Sequence, residues 1–210
     1  ATNWAGFREL LRDNLAHHAG DTEREMDILR EMHHGQVFRM LAQDLAGLQT
    51  IEHLSDHQTE LVDTIVQETL PLCWQTIKKR HCDAPKFAVI GYGKMGGKEL
   101  GYASDLDMVF VHDDDAPEAA EIYTRLGQRT NTWLSMQTPA GQLFETDLRL
   151  RPNGDSGLMV VSLEAFRQYQ LENAWVWEHQ ALTRARFAAG DREIGRKFEE
   201  KEVQKDIDLM

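Results

Sequence analysis

Basic residues are scarce in this 210-residue chain: 23 lysines and arginines face 35 aspartates and glutamates, a formal net charge of −12 with histidine neutral. That balance excludes a simple basic nucleic-acid binder, whose affinity rests on neutralising phosphates. Cysteine is scarcer still. Only Cys73 and Cys82 are present, with no second pair, so neither a disulfide framework nor a zinc knuckle is indicated and a reducing compartment fits. Long apolar runs are also missing. The longest, FAVIGYG at 87–93, falls far short of the roughly 18 residues of a membrane span, and no charged-then-apolar leader opens the chain. These absences predict a soluble, cytoplasmic protein without membrane or nucleic-acid partners. With 41% hydrophobic and 28% charged residues the chain can bury a core, as one large domain or two small ones. The opening at Ala1 and the polar, helix-like closing run REIGRKFEEKEVQKDIDLM read as a piece cut from a longer protein.

What is present divides by pattern. Residues 1–85 hold one proline, Pro71, before Pro85, and apolar residues recur at helical spacing, as in Met26, Leu29, Met32 and then Val37, Phe38, Leu41, Leu45. Three or four helices are predicted, with Asp21 as one N-cap and Ser55 with Gln58 as a capping box. Pro85 marks the boundary of this helical segment. From Lys86 the pattern turns to strands: FAVIGY, then LDMVFVHD at 106–113, then LFETDLRL at 143–150 with strict alternation. PEAAEIYTRLGQRTNTWLSM supplies a helix between the last two, and LMVVS is a short further strand. SLEAFRQYQLENAWVWEHQALTRARFAAGD reads as one or two helices. The expected class is α+β: a helical segment at 1–85, a catalytic core at 86–160 and a helical segment at 161–210.

Gly91, Gly93 and Gly96 carry the G-x-G-x-x-G spacing of a dinucleotide fingerprint directly after a strand, with acidic Asp113 downstream. A parallel crossover needs a full helix, and only about a dozen residues, Lys94 to Asp105, separate the two strands. An NAD site is therefore disfavoured. The surviving functional reading is a phosphate cradle from the backbone N–H groups of Gly96 and Gly97, and the plain alternative is a tight turn.

Asp105 and Asp107 enter the second strand two residues apart and so project from one face. On the third strand Glu145, Asp147, Arg149 and Arg151 share a face, and Asp147 stands beside the first pair if the strands are neighbours, about 4.8 Å apart. Clustered carboxylates repel unless a cation neutralises them, and hard oxygen ligands suit Mg²⁺ bridging to substrate phosphates. For Asp-x-Asp alone a solvated strand end is the commoner explanation. Joined to a glycine loop and a polar-faced third strand, the pattern is far more specific.

The stretches FAVIGYGKMGGKELGYASDLDMVFVHD, LFETDLRLRPNGDSGLMVVSLEAFRQYQ and NAWVWEHQALTRAR resemble the glutamine synthetase adenylyltransferase family, and the likeness runs from about Met26 to Asp191. The resemblance implies a polymerase-β-like nucleotidyltransferase fold. It places the family's glycine pair at Gly96 and Gly97, its Asp-x-Asp at Asp105 and Asp107 and its third aspartate at Asp147. Nucleotide contacts fall to Gly96, Gly97, Ser104, Arg149 and Arg151. Members carry two related halves, one attaching AMP to glutamine synthetase and one removing it by phosphorolysis. ELGYASDLD, with Tyr102, and WVWEHQAL look more like the attaching, carboxyl-terminal half. The implied reaction is in-line attack of a glutamine synthetase tyrosine on the α-phosphorus of ATP, with two Mg²⁺ ions and Asp147 as base. The PII signal protein is the implied regulator of the full-length protein. A non-catalytic docking module for glutamine synthetase or PII is the competing class.

Other residues invite weaker readings. Arg149 and Arg151 suit phosphate oxygens or an ion pair with Glu145 or the aspartates equally. Arg184 and Arg186 read as exposed helix arginines, Trp175 and Trp177 as packing residues, and His17, His18, His33, His34, His53 and His57 as surface histidines without a third metal ligand. Asp113, Asp114 and Asp115 read as a solvated strand exit.

Overall fold

The computed structural model describes residues 2–200. The final ten residues of the predicted closing helix lie outside that range. Three helices lead: α1 (Trp4–His17), α2 (Thr22–Leu45) and α3 (Ile51–Thr76). Asp21 caps α2 as expected, accepting from the Arg24 N–H. The expected Ser55 capping box is corrected. Thr50 caps α3, and Ser55 lies inside the helix, because the apolar stripe that docks α3 already starts at Leu54, one turn earlier than the motif implied. Then come β1 (Phe87–Gly91), a single turn α4 (Gly93–Gly96), β2 (Leu106–His112), α5 (Ala119–Ser135), β3 (Thr146–Asp147), β4 (Val160–Ser162), α6 (Leu163–Glu172), α7 (Val176–Leu182), β5 (Arg186–Gly190) and α8 (Arg192–Glu200).

The five strands form one mixed sheet. β1 is central, antiparallel to β2 on one side and to β5 on the other, while β3 and β4 both run parallel to β2 at successive positions along its outer edge. Alternation gives the sheet two apolar faces. Phe87, Val89, Leu106, Met108 and Phe110 share a core with α1, α2, α3 and α5, whereas Ala88, Ile90, Val109 and Val111 pack with Phe166, Leu182, Ile194 and Phe198 of α6, α7 and α8. The antiparallel pairing of β1 with β2 removes the dinucleotide-binding alternative, since that motif requires a parallel pair joined by a crossover helix.

Two strand expectations are corrected. The 143–150 strand contracts to Thr146–Asp147, because the Arg149 N–H turns back onto Asp147 Oδ1 at 2.8 Å and Arg151 takes the Leu148 carbonyl at 2.7 Å. The backbone thereby leaves the ladder. In the 162–191 segment, two helices are followed by the unforeseen strand β5. Arg186 anchors it with a paired bridge to Asp63 of α3 at 2.7 and 3.0 Å, and the free edge of β1 supplies its hydrogen-bonding partners. A second long-range clamp is Arg30. Fully buried, it donates to the carbonyls of Met26, Trp133, Met136 and Gly141, which ties α2 to the end of α5 and the turn beyond it. Among the described residues no helix is long and apolar enough to cross a membrane.

Candidate active site

The sheet's register gathers the carboxylates. Leu106 pairs with Thr146 and Asp107 with Asp147 across the parallel β2–β3 junction, and the Leu106 N–H donates to the Glu145 carbonyl at 2.9 Å to start it. Asp107 shares its side of β2 with Val109 and Val111, and it reaches solvent because β3 ends beside it. Thr146 Oγ1 donates to Asn131 Oδ1 at 2.7 Å, which fixes β3 against α5. Asp105, exposed at the mouth, lines a cleft with Glu145, Asp147, Arg149 and Arg151.

Burial pushes the Asp107 carboxyl upward, and repulsion from Asp147 and Asp105 adds to it; the charges of Arg149 and Lys94 offset only part. Asp147 is shifted the other way. Hydrogen bonds from the Arg149 guanidinium hold it below the ordinary carboxylate range, against some desolvation, with the Arg149 backbone N–H assisting. Asp147 is therefore ionised and faces Arg149. Among the described residues, the only trio of His, Cys, Asp or Glu ligand atoms mutually within 4.8 Å is His81, Cys82 and Asp114, so Asp105, Asp107 and Asp147 do not form a closed cage. Their oxygen-only donor set, with a negative charge that Arg149 and Lys94 offset only in part, nonetheless fits a hard divalent cation.

The glycine turn meets this edge from the other side. Gly93 has φ of +51°, and an added Cβ would collide with the Asp107 carboxylate, so both backbone conformation and the approach of Asp107 demand glycine there. Gly93 is the middle glycine of the G-x-G-x-x-G spacing, and its approach to Asp107 exists only in three dimensions. The expectation that the Gly96 and Gly97 amides face an anion is corrected. They donate to the Tyr92 and Gly93 carbonyls at 2.7 and 3.0 Å, because the turn closes into one helical revolution. Gly96 instead admits the Arg184 backbone, and Gly97 lies beneath the Arg184 guanidinium, which also pairs with Glu99. Ser104 Oγ accepts from the Gly101 N–H at 2.9 Å and shapes the loop leading to Asp105.

The flanking residues sort differently from their sequence readings. Arg149 pairs with Asp147, while Arg151 staples the 148–157 loop and reaches Asp155 at 3.6 Å. Arg186 is an anchor in β5 rather than an exposed helix residue. Trp175 and Trp177, expected to pack, are 71% and 55% exposed, because α7 turns its Glu178 and Leu182 inward instead. His33, expected at the surface, is buried beside Phe144. Asp114, expected to be solvated, is buried in a network with His81 and Tyr123.

A mixed α+β core of this topology, with a glycine turn after its first strand and aspartates converging from β2 and β3, is of the nucleotidyltransferase-like class. The profile of the glutamate-ammonia ligase adenylyltransferase family matches residues 1–201, and the chain belongs to that family. Relatives named bifunctional glutamine synthetase adenylyltransferase/adenylyl-removing enzyme include those of Aromatoleum aromaticum, 66% identical over 95% of this chain, and Nitrosomonas europaea, 64% identical over 94%. That of Chromobacterium violaceum is 55% identical over 95%. The chain spans about a fifth of the length of these relatives: 21, 22 and 22% respectively.

Proposed function

We propose that this chain is a catalytic unit that transfers AMP from ATP to a tyrosine of glutamine synthetase and releases pyrophosphate. The observation that carries the reading is the β2–β3 register, which sets Asp107 against Asp147 at the solvent end of the sheet with Asp105 two residues before. Asp105, Asp107 and Asp147 would hold Mg²⁺, which when bound supplies counter-charge for the triphosphate and lowers the cost of ionising the attacking hydroxyl. Arg149 is placed to leave Asp147 for phosphate oxygens, exchanging one bidentate anion for another. While Arg149 stays, the depressed Asp147 carboxyl is a weak proton acceptor. Once Arg149 has left, an Asp147 oxygen not taken by Mg²⁺ would accept the proton of a tyrosine hydroxyl, whose ordinary pKa is near 10. Gly93 keeps the Asp107 side unobstructed, and Ser104 sets the loop that delivers Asp105. Glutamine synthetase is the protein substrate in this reading, and the PII signal protein acts on the full-length protein.

The relatives' names contain both directions of the chemistry, so the test runs both. Mixed with MgATP and unmodified glutamine synthetase, the chain is expected to add AMP, seen by intact-mass spectrometry, with pyrophosphate released. Mixed with modified enzyme and phosphate, it should form ADP slowly or not at all. The reverse preference would assign the chain to removal of AMP. Nucleotide bound with activity in neither direction would favour the docking-module reading.

A further inference from the structure

At the end of β2 away from the carboxylate cleft, three side chains of different chemistry converge. His81 and Cys82 lie in the connection from α3 to β1, and Asp114 lies two residues beyond β2. His81 Nε2 is 2.7 Å from Asp114 Oδ2 and 3.8 Å from Cys82 Sγ, and the three ligand atoms all lie within 4.8 Å of one another. A tetrahedral zinc ion, with bonds of about 2.0–2.2 Å to nitrogen and oxygen and about 2.3 Å to sulfur, sets its ligand atoms roughly 3.3–3.6 Å apart. The two measured separations bracket that spacing. Imidazole, thiolate and carboxylate are donors that zinc takes together, whereas Mg²⁺ prefers oxygen alone. The Tyr123 hydroxyl donates to Asp114 Oδ2 at 2.8 Å and Lys86 Nζ stands 3.7 Å from Oδ1, which orients the carboxylate. The half-buried Cys82 thiol donates to the Ala84 carbonyl at 3.1 Å and leaves an ion a way in from solvent. An adjacent His–Cys pair with its third member 32 positions on matches none of the paired spacings of zinc motifs, so the sequence did not announce it.

We propose that His81, Cys82 and Asp114 form a zinc site, with the fourth position left to water. Binding releases the thiol proton to solvent, replaces the hydrogen bond between His81 and Asp114, and moves the imidazole proton from Nε2 to Nδ1. Among the described residues Nδ1 has no hydrogen-bond partner. The site therefore binds zinc more weakly than one whose histidine has its outer partner, a difference of about 10–100-fold. The ion ties the segment between α3 and β1 to the exit of β2 and takes no part at the carboxylate edge. The inference is independent of the AMP-transfer reading.

The test is titration of the chain with Zn²⁺ and, in parallel, with Co²⁺, read by calorimetry, by absorption and by the rate of cysteine alkylation in mass spectrometry. The expected result is a thiolate-to-cobalt charge-transfer band and alkylation of Cys82 slowed tenfold or more by Zn²⁺ but not by Mg²⁺. Cys73, fully buried in α3, should stay unmodified throughout. Cys82→Ser should abolish the band and weaken zinc binding at this site by more than about a hundredfold, beyond the loss of an outer partner. His81→Gln should weaken it by tenfold or more and serves if Cys82→Ser does not fold. Asp107→Asn should keep both the band and the zinc affinity, which separates this site from the aspartates of the cleft. A band that survives Cys82→Ser, Cys82 alkylation unaffected by Zn²⁺, or full zinc affinity in His81→Gln overturns the assignment.

Discussion

Asp107 lies at the start of β2 and Asp114 two residues beyond its end, and the two carboxyls are shifted in opposite directions. Desolvation raises both. At Asp107 the neighbouring aspartates add to that rise. At Asp114 hydrogen bonds from His81 and Tyr123, the Ala116 N–H at 3.1 Å and the charge of Lys86 overcome it and hold the group well below the carboxylate range. Tyr123 extends this hub. Its hydroxyl accepts from the Lys86 N–H at 3.0 Å, and its ring stacks on Trp74 and His112. One end of the strand therefore spends its carboxylate on holding α5 and the 81–86 segment to the sheet. The other gathers three carboxylates whose charge Arg149 and Lys94 offset only in part. Unresolved repulsion, rather than burial or the presence of an aspartate, distinguishes the candidate active edge.

The sharpest way to break this comparison is Asp107→Asn. Removing one anionic ligand should lower Mg²⁺-dependent AMP transfer by more than about a hundredfold. Removing a repelling charge should leave the melting temperature unchanged or slightly raised. Near-normal turnover, or a large loss of stability, would place Asp107 with Asp114 as a structural group. Asp114→Asn should do the converse. Breaking a buried, multiply bonded carboxylate is expected to cost about 2–4 kcal/mol in urea unfolding, with little change in turnover of the folded protein.

The pH dependence separates the two ends in a single titration of stability. A depressed folded pKa means that Asp114 stabilises at pH values above the unfolded carboxylate pKa of about 3.9, and the contribution is lost as pH falls through the folded value. A raised folded pKa gives Asp107 the opposite sign. Its ionised form opposes folding near neutrality, and that penalty disappears as acid protonates it. The stability gap between the unmodified chain and Asp114→Asn should therefore shrink only below about pH 4, whereas any advantage of Asp107→Asn should already decline above that, as pH falls through the raised folded value. The smallest effect is expected for Arg149→Ala. NMR titration should show the Asp147 carboxyl moving up from its depressed value and the Asp107 carboxyl moving further up, because Arg149 shields both. An unmoved Asp147 would mean that the Arg149 pair does not govern the edge.

Much of this arrangement was legible in the residues. FAVIGY and LDMVFVHD announced β1 and β2 as short, β-rich apolar runs; Asp21 announced the start of α2, and the length of the 92–105 connection already argued against a dinucleotide crossover. Asp105 and Asp107 were assigned one face by strand period alone. These are local properties, set by backbone geometry and nearest neighbours, and a sequence carries them in full.

What tertiary structure alone decided depends on residues far apart in the chain. RARFAAG reads like the tail of a helix, and it became a strand because β1 offered an unpaired edge and Asp63, 123 positions earlier, offered Arg186 a partner. Asp114 looked like one of three solvated aspartates until His81 and Tyr123 converged on it, and His33 looked like a surface histidine until Phe144 packed against it. Asp147 was read on a strand of eight residues and stands on one of two, yet the parallel register still brings it opposite Asp107. Residue type and spacing determined which groups were available to the site. The long-range pairings determined their neighbours, and neighbours set whether a carboxylate is neutralised, repelled or left facing solvent.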